Sequence, residues 1–240
     1  LVKMNPITRL CLYMAFSVSV LLSMEIGILT LHILIAISLL IFERDQWSEW
    51  KNRTRPFWKY FPLTGLIFFV ISFLVSDRSI STIIMDVTLA TLRLIVMVSV
   101  MTIYTLKSSS QDVITAFRSI WFKMNLNYRW VEDLLLFFDM TVRFFPTFKE
   151  EWRQLERSQK ALSISISESF LKKVIQVAQF VPDFIILNLN KSESITRVME
   201  MRGYGKSIPR SVFPFIKFTF FDLTLALLIP IILIGVHSIG

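Results

Sequence analysis

The chain has 240 residues, 54% of them hydrophobic, a mean hydropathy of +0.59 and a formal net charge of +8. Soluble domains carry about 45–50% apolar residues and more charge. Here the apolar residues form long blocks with the charges gathered between them, which excludes a soluble globular class. The single cysteine, Cys11, excludes an intrachain disulfide framework and a thiolate metal cluster.

The chain opens at Leu1 without an initiator Met, so N-terminal residues are expected to be missing. No small-residue cleavage site follows the first apolar stretch, which is therefore expected to stay in the protein. That stretch, Leu10 to Phe42, would be roughly 50 Å long as one helix, against a hydrocarbon core of about 30 Å. It predicts two short helices turning near Glu25-Ile26-Gly27, tilted or locally thinning the bilayer. A charged loop is expected from Glu43 to Lys59, where Trp47, Trp50 and Trp58 beside Arg44, Lys51, Arg53, Arg55 and Lys59 mark a membrane interface. Apolar blocks follow at Tyr60–Ser76 and Ile83–Leu106. The second contains Asp86 and Arg93, seven residues apart on similar faces of one helix and expected to pair with neighbours in the bundle.

From Lys107 to Arg210 charged and apolar residues alternate with helical periodicity. Ser110-Gln111-Asp112 predicts the cap of a short helix through Arg118. Val131 to Phe148 is apolar but carries Glu132, Asp133, Asp139 and Arg143, and Pro146 is expected to disturb its end. A second amphipathic helix begins at Phe148. Phe170, Val174, Val177, Ala178 and Val181 form a further stripe that Pro182 kinks or ends. A last amphipathic segment, Ser192 to Arg202, stops at Gly203, a suitable C-cap residue. The final block, Val212 to Gly240, is long enough to span. Lys and Arg are absent from the turn at Glu25 and abundant at 43–59 and 107–210. The positive-inside rule then puts the N-terminus and the amphipathic middle in the cytoplasm.

Catalysis has no support. His32 and His237 lie far apart in apolar blocks and read as bundle-facing or interfacial imidazoles, not a metal pair. No HExxH or GxSxG motif is present. Gly203-Tyr204-Gly205-Lys206-Ser207 resembles a phosphate loop, but Glu200 stands where its first glycine belongs, and the segment follows an amphipathic helix. ATP binding by this chain is therefore rejected. The basic residues alternate with acids on helices without a recognition motif, so nucleic acid is not expected as a partner; a partner protein or a membrane surface is.

Asn5-Pro6-Ile7-Thr8-Arg9-Leu10, Thr105-Leu106-Lys107-Ser108-Ser109, Arg143-Phe144-Phe145-Pro146 with Glu150-Glu151, Arg157-Ser158-Gln159-Lys160-Ala161 and Arg197-Val198-Met199-Glu200-Met201-Arg202-Gly203-Tyr204 occur in an order and spacing that resemble the transmembrane T component (EcfT or CbiQ type) of energy-coupling factor transporters. The resemblance spans nearly the whole chain. It implies a non-catalytic scaffold without cofactor or metal, in the plasma membrane of a prokaryote. Its implied partners are the lipid bilayer, two cytoplasmic ABC-type ATPase subunits and a substrate-binding membrane S component that delivers a vitamin or metal ion. The alternative class is a stand-alone transporter or channel, for which no inverted repeat is visible. The family docks its ATPases through two Ala-Arg-Gly motifs at the ends of coupling helices. Here the second reads Met201-Arg202-Gly203, with Met in place of Ala. The first reads Ala161-Leu162-Ser163 and lacks the arginine. An asymmetric complex is expected, one contact through the Arg202 guanidinium and one mainly apolar contact through Leu162. The fold expected is all-α: a polytopic membrane helix bundle with long amphipathic cytoplasmic coupling helices. It comprises an N-terminal bundle of about four apolar helices (1–106), a coupling region (107–211) and a C-terminal transmembrane helix (212–240).

Overall fold

A computed structural model describes residues 4–76, 78–161, 170–205, 208 and 210–239. No strand occurs among the described residues, and the chain is all-α. The helices are α1 (Pro6–Leu22), α2 (Ile26–Phe42), α3 (Trp47–Val75), α4 (Ile80–Lys107), α5 (Ser110–Lys123), α6 (Arg129–Ala161), α7 (Phe170–Met201) and α8 (Phe220–Ile239), with a 3-10 turn at Arg44–Gln46. They fall into two compact units, 1–117 with 216–240, and 118–215.

In the first unit α4 packs against α1, α2 and α3, and α1 also packs against α8. Phe16 and Val20 of α1, Leu29 and Ala36 of α2, and Val96 and Val100 of α4 form the buried core. Three segments are long and apolar enough to cross a membrane: Arg44–Val75, Ile80–Lys107 and Phe220–His237. α1 and α2, at 17 residues each, are roughly 25 Å long, as expected for two short arms. The turn between them lies at Ser23–Glu25.

Three expectations about boundaries are corrected. The charged segment after Glu43 is not a loop: beyond the 3-10 turn it forms the first turns of α3, a 29-residue helix containing Pro56 and Pro62. Glu49 and Arg53 pair at i,i+4 (2.8 Å), and Trp50 and Thr54 face inward, the Trp50 indole donating to the Ser99 carbonyl (3.2 Å). Packing on α4 thus recruits the polar turns into the helix. Pro146 does not end a helix either, because α6 runs through it. Past the proline, Arg153 and Arg157 both pair with Glu150, and α7 supplies Lys191 to Glu151 and Phe184 edge-on to Trp152 (5.3 Å between ring centres). These contacts outweigh the one backbone bond that Pro removes. Pro182 is passed in the same way within α7. The last helix begins at Phe220 rather than Val212. Thr219 and Asp222 form a reciprocal capping box, each backbone N–H bonded to the other's side chain (3.0 and 3.3 Å).

One end of the first unit gathers these polar ties. The Asn5 backbone N–H donates to Asp222 (3.0 Å), while the Asn5 side chain caps α1 at the Ile7 N–H (2.9 Å). Arg9 donates to the Lys107 carbonyl (3.4 Å), and Lys107 pairs with Glu43. The start of α1, the ends of α2 and α4 and the start of α8 therefore share one face of the bundle. Inside the bundle His32, fully buried, meets Ser19 (2.8 Å), which also meets His237 (2.9 Å). The His32 Nδ1–H donates to the Ile28 carbonyl (2.7 Å). Asp86 and Arg93 differ from expectation. Asp86 pairs with Arg78 near the start of α4 (3.4 Å), and both are exposed. Arg93 has no ion pair among the described residues.

α3 and α4 approach closely at Gly65, where a Cβ would lie 3.2 Å from the Thr91 hydroxyl. That hydroxyl is itself fixed to the Val87 carbonyl (2.7 Å). Gly65→Leu is expected to cost about 1–3 kcal/mol by overpacking and to lower the apparent melting temperature in detergent by several degrees. Gly27→Leu, where the same Cβ meets nothing within 4 Å, should leave it unchanged.

Candidate functional site

The second unit pairs two long helices, α6 and α7, and fastens the end of α7 to them. α7 ends in a Schellman motif: Tyr204 N–H bonds the Met199 carbonyl (2.9 Å) and Gly203 N–H the Glu200 carbonyl (2.9 Å). Gly203 takes φ +74°, a left-handed conformation that glycine adopts without steric cost. The C-cap read from sequence is where it was expected.

This terminus is held by a polar clamp. Arg118, at the C-terminal half of α5, pairs with Asp139 of α6 at 2.6 Å, with side chains only 10% and 4% exposed. Arg143, one turn further along α6, lies 3.6 Å from the same carboxylate. The other Arg118 amino group donates to the Tyr204 hydroxyl (3.3 Å). Arg210 reaches back to Asp133 (2.7 Å) and to the Glu132 carbonyl (3.3 Å), and its guanidinium lies 5.7 Å from the centre of the Tyr204 ring. Tyr204 is therefore gripped at its hydroxyl by one arginine and over its face by another. Glu132, buried, shares a small polar space with Arg118, Trp121 and Arg210.

Met201 and Arg202 project from the clamped end. Met201 is 79% exposed. Arg202 is exposed, and no ion pair or hydrogen bond of its side chain with a described residue is present. It lies at the rim of a recess of about 360 Å³ that also holds Arg143 and Lys191 and no carboxylate. Beside it, an apolar cleft of about 500 Å³ runs between α6 and α7, lined by Phe137, Met140, Phe144, Phe148, Ile195 and Met199. The arrangement presents an exposed, planar cation, without a partner among the described residues, on a capped helix end. Its chemistry is recognition of a carboxylate, which a guanidinium can grip with two parallel hydrogen bonds. Of the other motif, Ala161 is the last described residue of α6, while Leu162 and Ser163 lie outside the described residues. So do the side chains of Phe170, Val174 and Val177. No cluster of three or more His, Cys, Asp or Glu side chains is present among the described residues.

Residues 2–214 match the family described as cobalt transport protein, CbiQ. The chain belongs to the CbiQ family. It is also similar to the energy-coupling factor transporter transmembrane protein EcfT of Staphylococcus aureus (28% identical over 147 residues, 60% of this chain and 54% of that protein). EcfT 1 of Listeria monocytogenes serotype 1/2a is 25% identical over 146 residues, with the same coverage. The chain spans about half the length of the curated relatives it matches. The resemblance read from the motifs is thus borne out, and the all-α membrane bundle is the expected architecture.

Sequence reasoning named Met201, Arg202 and Gly203 but missed the clamp that holds them. Arg118 stood at an expected helix end and Asp139 among the acids of an apolar stretch, without a sign that they meet. The signal that could have found them is Asp139 itself, since a carboxylate in such a stretch needs a cation. Removing one partner of a buried pair costs about 3–5 kcal/mol. Arg118→Met is therefore expected to raise amide hydrogen exchange sharply at 199–205 in the detergent-solubilised chain. Arg53→Met, which breaks an exposed pair of the first unit, should leave exchange there unchanged.

Proposed function

We propose that this CbiQ-family chain is the transmembrane T component of an energy-coupling factor importer. It is a non-catalytic scaffold that couples ATP hydrolysis by two partner ATPases to uptake of a micronutrient, a vitamin or metal ion, presented by a membrane S component. The observation that carries the reading is Arg202: an exposed guanidinium without a partner among the described residues, on a glycine-capped helix end, beside a recess bearing cations and no acid. In this reading the α6–α7 pair is cytoplasmic, and Arg202 grips a carboxylate in an ATPase groove. Gly203 ends the helix and lets the partner backbone approach. The second ATPase meets the end of α6 at Ala161-Leu162-Ser163, through apolar contact in place of an arginine. ATP-driven closing of the two ATPases draws the coupling helices together and reorients the S component.

The test is co-purification from mild detergent after co-expression with ATPase subunits from the same genome. The wild-type chain should retain both ATPases. Arg202→Glu should lose at least one, because it places a carboxylate against a carboxylate. Leu162→Asp should release the copy that Arg202→Glu spares. A wild-type chain that retains neither ATPase would remove the scaffold mechanism and favour a stand-alone transporter.

A further inference from the structure

We propose that the outward sector of the first turns of α3, where Lys51, Arg55 and Lys59 stand beside Trp47 and Trp58, is a binding surface for the headgroups of anionic phospholipids. At about 100° per residue, Trp47, Trp58, Lys51, Arg55 and Lys59 fall within roughly 120° of the helix circumference. No acid lies in that sector. Glu49 is on another face, already paired with Arg53 at 2.8 Å. Lys51, Arg55 and Lys59 are all exposed, and none has an ion pair among the described residues. They rise along the helix in steps of about 6 Å, a row of uncompensated positive charge.

The position of the row selects the partner. α3 has 29 residues and is about 43 Å long, some 13 Å more than a hydrocarbon core. Its C-terminal part, from Tyr60 to Val75, is apolar, so the excess length falls at the Trp47 end and lies at headgroup level. The neighbouring face holds the buried Thr54, the one buried residue of α3, and Trp50, whose indole bonds the Ser99 carbonyl of α4. The three cations themselves remain exposed. Trp47 is fixed by its indole N–H to the Leu40 carbonyl (3.0 Å), and Lys51 lies 5.7 Å from the centre of its ring. Indole rings settle at the interface, and Lys59, the deepest of the three cations, reaches the phosphates along its alkyl stem. Charge complementarity then favours lipids with a net negative headgroup over zwitterionic ones.

The full chain, reconstituted in phosphatidylcholine vesicles, provides the test. A rising fraction of the lipid is replaced by brominated phosphatidylglycerol or by brominated phosphatidylcholine, and quenching of tryptophan fluorescence is read. Brominated phosphatidylglycerol should reach equal quenching at a mole fraction lower by about fivefold or more. The preference should shrink at high salt, which screens it. The variant Lys51→Gln/Arg55→Gln/Lys59→Gln should lose the preference. Arg153→Gln/Arg157→Gln/Arg197→Gln, with the same loss of charge in the second unit, should keep it. If the first triple variant loses helicity by circular dichroism, Lys59→Gln and the salt titration of the wild type decide. Equal quenching by the two lipids in the wild type overturns the proposal and leaves the row to an acidic protein surface or to water. A preference that ignores salt, or one that only the control variant loses, overturns it as well.

Discussion

The Arg118–Asp139 ion pair sets the position of the α7 end that the second unit presents. Two charges this deeply covered are costly to hold apart from water, and they stay together only where geometry and further hydrogen bonds compensate. Both conditions hold: the pair is short, Arg143 adds a second cation, and the free arm of Arg118 is bonded to Tyr204. Tyr204 immediately follows the glycine that ends α7. The pair thus fixes the end of a 32-residue helix from outside the helix. Arg210 completes the grip from the chain beyond. The exposed Arg202 is thus held by its backbone, while its guanidinium has no partner among the described residues.

The bilayer imposes a different economy on the first unit. Backbone groups in lipid must be satisfied within helices, and ionisable side chains are confined to ends or to protein-facing positions. The bundle follows both rules. Asn5, Arg9, Glu43, Lys107 and Asp222 converge at one end, where side chains cap helices or bridge them. In the interior the polar link is the Ser19–His32–His237 chain, which joins α1, α2 and α8. The motif segments around Asn5 and around Lys107, far apart in sequence, meet through the Arg9 bond. Their joint presence in the family pattern has this local physical meaning.

Much of this was legible in the sequence. Apolar block lengths marked the two short arms and the turn near Glu25, and Gly203 marked the C-cap, because each depends on local composition. Helix continuity was not legible. Pro146 was expected to disturb the end of a segment and Pro182 to kink or end one, yet both α6 and α7 run through their prolines. The polar start of α3 read as loop, yet Trp50 and Thr54 pack it on α4. These outcomes depend on tertiary partners that no window of sequence contains. The clamp was hidden for the same reason: Arg118, Asp139, Tyr204 and Arg210 meet only after three helices are in place. The pairing foreseen for Asp86 and Arg93 failed in an instructive way. Asp86 lies close enough to the start of α4 to reach an exposed Arg78 instead of the bundle.

The central claim is that the Met201–Arg202 end of α7 is seated in a partner ATPase. Photo-crosslinking from position 201 tests it most directly, with a benzoylphenylalanine introduced there in membranes containing the co-expressed ATPases. The account predicts an adduct between this chain and an ATPase subunit, and a much weaker one from Lys51 on α3. Crosslinks to lipid alone, or equal yields from both positions, would contradict it.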